Sequence, residues 1–275
     1  MTEGVAEIGF HRSDGHTRLA HLYQHDPLRV LFPTPAAGDP PLAVIATTSG
    51  GLVAGDRLAI SVDLGPGAAL HVTGAAAEKI YRSTGRTAEI SQTLSVDTGA
   101  ALEFIPPETI LFDGARLRRE TRVDLAADCA FLGGDIVVFG RRARGECFTR
   151  GFFHEKWEIR CGRGLVWGDA LHIEGDVGRI IHHPACFDGA AAFATLVLSP
   201  PGQNARDLLD SARAVQTRAT TTGLRAGATI IAGMVIARWL AAEPAPLRQA
   251  FADLACHLRS AALGLPPRLP QIWHV

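Results

Sequence analysis

The chain has 275 residues, 47% of them hydrophobic and 20% charged, with a formal net charge of −1. That length can bury a substantial core without disulfides or a structural metal, and the balanced charge excludes the strongly basic surface of a nucleic-acid binder. No apolar run approaches the roughly 18 residues of a membrane-spanning helix, Met1–Gly4 has no signal-peptide pattern, and Cys129, Cys147, Cys161, Cys186 and Cys256 form no Cys-x-x-Cys pair. A single cytoplasmic domain over residues 1–275, with reduced thiols and neither nucleic acid nor membrane as partner, is the expectation.

Near the N-terminus His11, His16, His21 and His25 have no ligand-like spacing, and the proline-containing stretch 33–41 reads as a loop. The apolar run Leu42–Ala46 then leads into Thr47-Thr48-Ser49-Gly50-Gly51-Leu52-Val53-Ala54-Gly55-Asp56. Glycines behind an apolar strand suggest a phosphate-binding loop. Yet no Gly-Lys-Ser/Thr occurs in the chain, and the alternating residues Arg57–Asp63 form a strand pattern, not a helix whose N-terminal N–H groups could hold phosphate. The stretch therefore predicts a tight corner between two strands.

From about residue 40 to 175 short alternating runs dominate. Residues 60–70 are echoed at 94–102 and again at 121–131, with Val-Asp pairs at Val62-Asp63, Val96-Asp97 and Val123-Asp124. Each unit reads as strand, Asp-led turn, strand, with Asp and Gly serving the turn. Repeats of this kind stack to bury a shared apolar face, and no βαβ alternation supports a doubly wound sheet. The predicted fold is mainly β, with β-helix-like stacked layers and two α-helices in the C-terminal half; a β-sandwich is the alternative. The first helix is expected over 204–217, burying Ala205, Leu208, Leu209, Ala212 and Val215. The second is expected over 246–263, ended by Gly264 ahead of Pro266. Residues 228–240 read as one buried strand.

Chemistry is harder to find. Gly-x-Ser-x-Gly is absent, and Ser49 precedes a strand, so a nucleophile elbow is not supported. Glu103, Glu108 and Asp113 lie among bulky apolar residues, with Lys79, Arg82, Arg116 and Arg118 as candidate counter-charges. Such acids can form a general acid–base pair, bind a divalent ion or tie turns together. His182, His183 and Cys186 are metal-ligating types, but neighbouring strand residues point to opposite faces, which favours a surface loop. Gly140–Glu146, with Arg141 and Arg142, is a basic turn that suits an acidic partner or a solvated hairpin tip. On the residues alone, binding or assembly is favoured over catalysis. The competing classes are a β-helical hydrolase using Glu108 and Asp113, and a ligand-binding β module.

Together these stretches resemble the urease accessory protein UreD family, called UreH in some organisms. The resemblance is carried by Thr48–Asp56, by Thr73–Arg82, by Leu102–Ala115, by Gly140-Arg141, Gly145-Glu146, Phe148 and Gly151, and by the tail Pro267–Trp273. It spans nearly the whole chain and departs at Glu78 and at Gly134-Asp135. It implies a β-helix-like fold and a non-enzymatic role: binding apo-urease and holding UreF, which holds the GTPase UreG. Nickel would cross the subunit in transit, with no cofactor bound permanently. A path that must release nickel suits lone oxygen ligands better than a His/Cys cage. Asp56, Glu103, Glu108, Asp113 and Glu146 are the candidates for it, with Lys79, Tyr81 and Arg82 nearby; the alternative is that these carboxylates pin corners of the β layers. Trp273, Arg141 and Arg142 are the expected partner contacts.

Overall fold

The computed structural model describes residues 2–202, 204–219 and 223–274. In chain order its strands are β1 (Glu3–Ser13), β2 (His16–His25), β3 (Leu28–Leu31), β4 (Leu42–Thr47), β5 (Arg57–Leu64), β6 (Ala69–Gly74), β7 (Glu78–Ile80), β8 (Ala88–Val96) and β9 (Ala101–Phe104). They continue with β10 (Thr109–Leu111), β11 (Arg116–Leu125), β12 (Ala130–Phe139), β13 (Arg150–Cys161), β14 (Gly164–Asp176), β15 (Ala192–Ser199), β16 (Leu224–Ile231) and β17 (Met234–Ala241). The helices are α1 (Val177–His182), α2 (Ala205–Ala219) and α3 (Pro244–Leu263).

The strands form two facing sheets. The first runs β14-β13-β11-β8-β5-β1-β2; the second runs β16-β17-β15-β12-β9-β6-β4-β3, with β10 and β7 paired beside β12. Alternation explains the layering. Leu58, Ile60, Val62 and Leu64 of β5 are buried while Arg57 and Asp63 face solvent, and β8 and β11 repeat the pattern. Each sequence repeat is one coil: β5 in the first sheet turns into β6 in the second, β8 into β9, and β11 into β12. Successive coils lie parallel, with Ser61 beside Thr93 and Ala69 beside Ala101. This is the stacked arrangement expected from the repeats. The turns need a left-handed residue, supplied by Gly67 and Gly99, both at φ +66°, and by Asp128 at φ +57° in the third coil. Asp63 and Asp124 end up on strands; Asp97 heads its turn and accepts a hydrogen bond from the Thr98 N–H.

The outer face of the second sheet is covered by α2 and α3. Leu208, Leu209, Ala212 and Val215 of α2, with Leu247, Phe251, Leu254 and Leu258 of α3, form a second apolar core there with Leu132, Ile136 and Trp239. Pro244 starts α3, and Gly264, left-handed at φ +65°, ends it. Residues 228–240 are not one strand. Ala232 (φ +48°) and Gly233 (φ +81°) turn the chain, making the antiparallel hairpin β16–β17. An alanine in a left-handed turn gave no sign of it in an apolar run.

The glycine-rich stretch is the corner that carries β4 in the second sheet to β5 in the first. Gly51 (φ +143°) lies so close to the next coil that a Cβ would stand 2.6 Å from the Lys79 carbonyl. Leu52 N–H donates to that carbonyl at 2.7 Å, and Tyr81 OH donates to Gly50 O at 3.0 Å.

Candidate functional site: a cavity between the sheets and its buried acids

Between the two sheets lies a cavity of about 170 Å³. Ile60 and Gln92 line it from the first sheet, Val72, Thr73 and Phe104 from the second. Residues of the glycine corner (Thr47, Gly50, Gly51) and of the following segment Ala75–Lys79 also line it. At its inner side stands Arg119, a charged residue at an inward position of β11 between Leu117 and Thr121.

Burying a guanidinium demands compensation. Arg119 donates from Nε to Glu155 Oε1 at 2.6 Å and from Nη1 to Thr109 Oγ1 at 2.8 Å; its Nη2 lies 3.4 Å from Asp135 Oδ2. Glu155 reaches it because β13 pairs with β11 with Glu155 directly beside Arg119. Asp135 comes from the opposite sheet and accepts from Trp157 Nε1 at 2.8 Å. Two acids therefore share one cation away from water. Burial pushes the Glu155 carboxyl up to about 8, against the pull of Arg119 and with help from the Asp135 charge. Glu78, also lining the cavity, is raised by burial, although Thr47 donates to its Oε2 at 2.5 Å.

The carboxylates singled out in the sequence are not brought together. Asp56 accepts from the N–H groups of Thr2 (2.8 Å) and Val53 (3.0 Å) and closes the glycine corner. Glu103 faces outward from the second sheet, where Arg259 of α3 grips it at 2.7 and 2.9 Å and His71 Nδ1 lies 3.1 Å away; these donors hold its carboxyl down at about 2 in spite of burial. Glu108 pairs with Arg248 at 3.1 Å. Asp113 accepts from the Thr149 N–H and Oγ1, both at 2.8 Å, and from the Arg150 N–H. Glu146 accepts from the Asp113 N–H at 2.9 Å and from Arg141. Glu108 and Asp113 thus flank β10 but are tied to α3 and β13 respectively, so neither is free to form an acid–base pair with the other.

Among the expected partner contacts, Trp273 is buried and stacks on Phe251 with ring centroids 6.3 Å apart. Arg248 caps the Trp273 ring at 4.4 Å. Arg141 lies over the Phe112 ring at 4.4 Å, and Arg142 is exposed on a short 3₁₀ turn with Nη1 2.7 Å from Cys147 Sγ. His182 ends α1, where its Nδ1 lies 2.8 Å from the Gly178 carbonyl oxygen, and His183 follows in a turn. Among the described residues no group of three or more His, Cys, Asp or Glu side chains could hold a metal ion, and no helix is long and apolar enough to cross a membrane.

The residues missed in the sequence are Arg119, Glu155 and Thr109. Their signal was positional: Leu117-x-Arg119-x-Thr121-x-Val123 and Phe153-x-Glu155-x-Trp157-x-Ile159 each place one charge on the otherwise buried face of an alternating run.

Residues 2–274 match a family model described as UreD urease accessory protein. The chain is 40% identical to a urease accessory protein UreD of Magnetococcus marinus, over 99% of this chain and 94% of that protein. It is 38% identical to urease accessory protein UreD 3 of a Bradyrhizobium species (98% and 92% covered). To urease accessory protein UreD 2 of Methylorubrum populi it is 40% identical (98% and 87% covered).

Proposed function

Since the chain belongs to the UreD family of urease accessory proteins, we propose that it is a non-enzymatic maturation chaperone of the cytoplasm. It binds apo-urease and holds UreF, through which the GTPase UreG is recruited. It passes nickel toward the urease active site by way of the cavity between its sheets.

The observation that carries the nickel reading is the cavity and its donor set. Glu78, Thr47, Thr73, Thr109 and Gln92 offer oxygen around an otherwise apolar space. A borderline divalent ion prefers nitrogen and sulfur, so scattered oxygens hold it loosely enough to let it go. Arg119 would repel a cation, but its guanidinium is engaged by Glu155, Thr109 and Asp135. Burial raises the affinity of Glu78 for a proton, so a proton and a passing cation would compete for its carboxyl. The chaperone role itself rests on the family. Asp56, Glu103, Glu108, Asp113 and Glu146 each have a structural partner, which favours corner-pinning over ion transit for all five.

Ala77 lines the cavity from the segment beside Glu78, so Ala77→Phe fills it while leaving every buried charged residue in place. Co-expressed with urease and the other accessory proteins, A77F should still co-purify with apo-urease while urease nickel content and activity fall to background. Wild-type activation by a stable A77F would remove the cavity from the path. Loss of co-purification with apo-urease by the wild-type chain would remove the chaperone reading itself.

A further inference from the structure

β2 is the last strand of the first sheet, and among the described residues no strand lies along its outer edge. Such an edge presents free N–H and C=O groups, a template for another strand. Apolar side chains gather at this end. Leu19 and Leu22 of β2 are 43% and 38% exposed, and Leu31 and Phe32 are 54% and 40% exposed. Phe32 meets Phe10 edge-on at 5.9 Å, and Phe10 sits opposite Leu19.

The ladder between β1 and β2 is interrupted. Gly9 faces His21 and Phe10 faces Leu19, which leaves Ala20 as an extra residue in β2. Leu22 lies opposite Ile8, and Leu19 opposite Phe10. Residues 8 and 10 of β1 share a face and a backbone direction, because both alternate with a period of two. Leu19 and Leu22 therefore share them too, although they are an odd number of residues apart. The same holds for Arg18 with Tyr23 (opposite His11 and Glu7) and for Thr17 with Gln24 (opposite Arg12 and Ala6). In an antiparallel pairing, residues directly opposite each other must match in this way. A two-fold axis between Ala20 and His21 meets that condition along the whole strand, setting Leu19 against Leu22 and Arg18 against Tyr23. Without the bulge, the same axis would oppose side chains from opposite faces.

We infer that β2 is a two-fold interface between copies of this chain. The edge is self-complementary, as an isologous contact requires. It joins the two seven-stranded sheets into one, covers Leu19 and Leu22 with each other, and lays the Arg18 guanidinium on the partner ring of Tyr23. The inference is independent of the nickel path and of the family's partners.

The test uses the full chain with the exposed thiols Cys147, Cys161 and Cys186 replaced by serine. The double variant L19C/L22C should give a covalent dimer under mild oxidation. L19C alone should not, because its two copies sit roughly 10 Å apart along the paired strands, beyond disulfide reach. By sedimentation, the chain with its natural β2 should pass from monomer to dimer between about 1 and 100 μM. Leu22→Lys should stay monomeric over that range with an unchanged thermal melt. A monomer throughout, or equal cross-linking by L19C alone and by the double variant, would overturn the interface.

Discussion

Arg259 and Arg119 are both buried among carboxylates, on the outer and inner sides of the second sheet, yet their acids respond in opposite directions. Outside, Glu103 receives both prongs of Arg259 and lies against His71 Nδ1, so donors outnumber the acid and its carboxyl is held at about 2. The same guanidinium donates to Asp39 at 3.0 Å and to the carbonyls of Pro266 and Arg268, which stitches α3 and the C-terminal tail to the sheet. Inside, Glu155 and Asp135 compete for the single Arg119, and Glu155 keeps its proton to about 8. Burial alone does not decide the charge of an acid; the ratio of donors to acids does. The outer centre is a clasp with its charges satisfied. The inner one has two acids for one guanidinium, beside a cavity that Arg119 lines.

That contrast breaks most visibly at the arginines. Arg259→Leu leaves Glu103 buried with only His71 beside it and takes away one of the two arginines on Asp39, and should cost about 3–5 kcal/mol in urea unfolding. Arg119→Met should cost less, about 1–3 kcal/mol, because burial already pushes Glu155 toward its neutral form and less charge is left without a partner. If R119M proves the more damaging of the two, the inner acids are ionised and the comparison fails.

The pH dependence sharpens the same point. The unfolded Glu155 carboxyl titrates near 4.5 and the folded one near 8. Between those values the native chain keeps a proton that the unfolded chain has lost, so this group's contribution to stability falls as pH rises from about 4.5 to about 8. Glu103 works the other way. Its folded carboxyl is depressed, so its contribution is fully present above about 4.5 and is lost as pH falls toward about 2. Glu155→Gln should flatten the neutral limb of a stability–pH curve and leave the acid limb unchanged. An identical neutral slope in wild type and E155Q would mean that Glu155 does not hold the proton.

Much of this was legible in the sequence where the information is local. The coils follow from alternation and from the repeat itself, although only Asp97 of the three Val-Asp pairs heads its turn; the glycine corner follows from three glycines set between two strand patterns. The chemistry was less legible because its partners are remote. Arg259 and Glu103 are 156 residues apart, and Arg119 and Glu155 are 36 apart on neighbouring coils. No spacing rule joins them. The acids in the resemblance motif drew notice because they sit among bulky residues, but that setting also suits a carboxylate that receives backbone N–H groups at a corner. Arg119 and Glu155 were visible as single charges on buried faces. What could not be seen was that these faces meet at one point between the sheets.

Asp113 offers the finest test, because it separates corner-pinning from ion transit at one oxygen. Its Oδ1 accepts from the Thr149 N–H, the Thr149 hydroxyl and the Arg150 N–H, so it fixes the start of β13 against the turn after β10. Asparagine keeps that oxygen and loses the charge; alanine loses both. A pinning role therefore predicts that Asp113→Asn stays within about 0.5 kcal/mol of wild type, while Asp113→Ala loses about 1–2 kcal/mol from unmade hydrogen bonds. Urease activation should then track the folded amount of each variant. An ion ligand predicts the opposite order, since a neutral amide binds a divalent cation far more weakly than a carboxylate. A D113N chain that melts like wild type yet leaves urease without nickel would move Asp113 from the scaffold to the path. It would also show that the route runs past the corner before β13 and not through the cavity beneath Glu78.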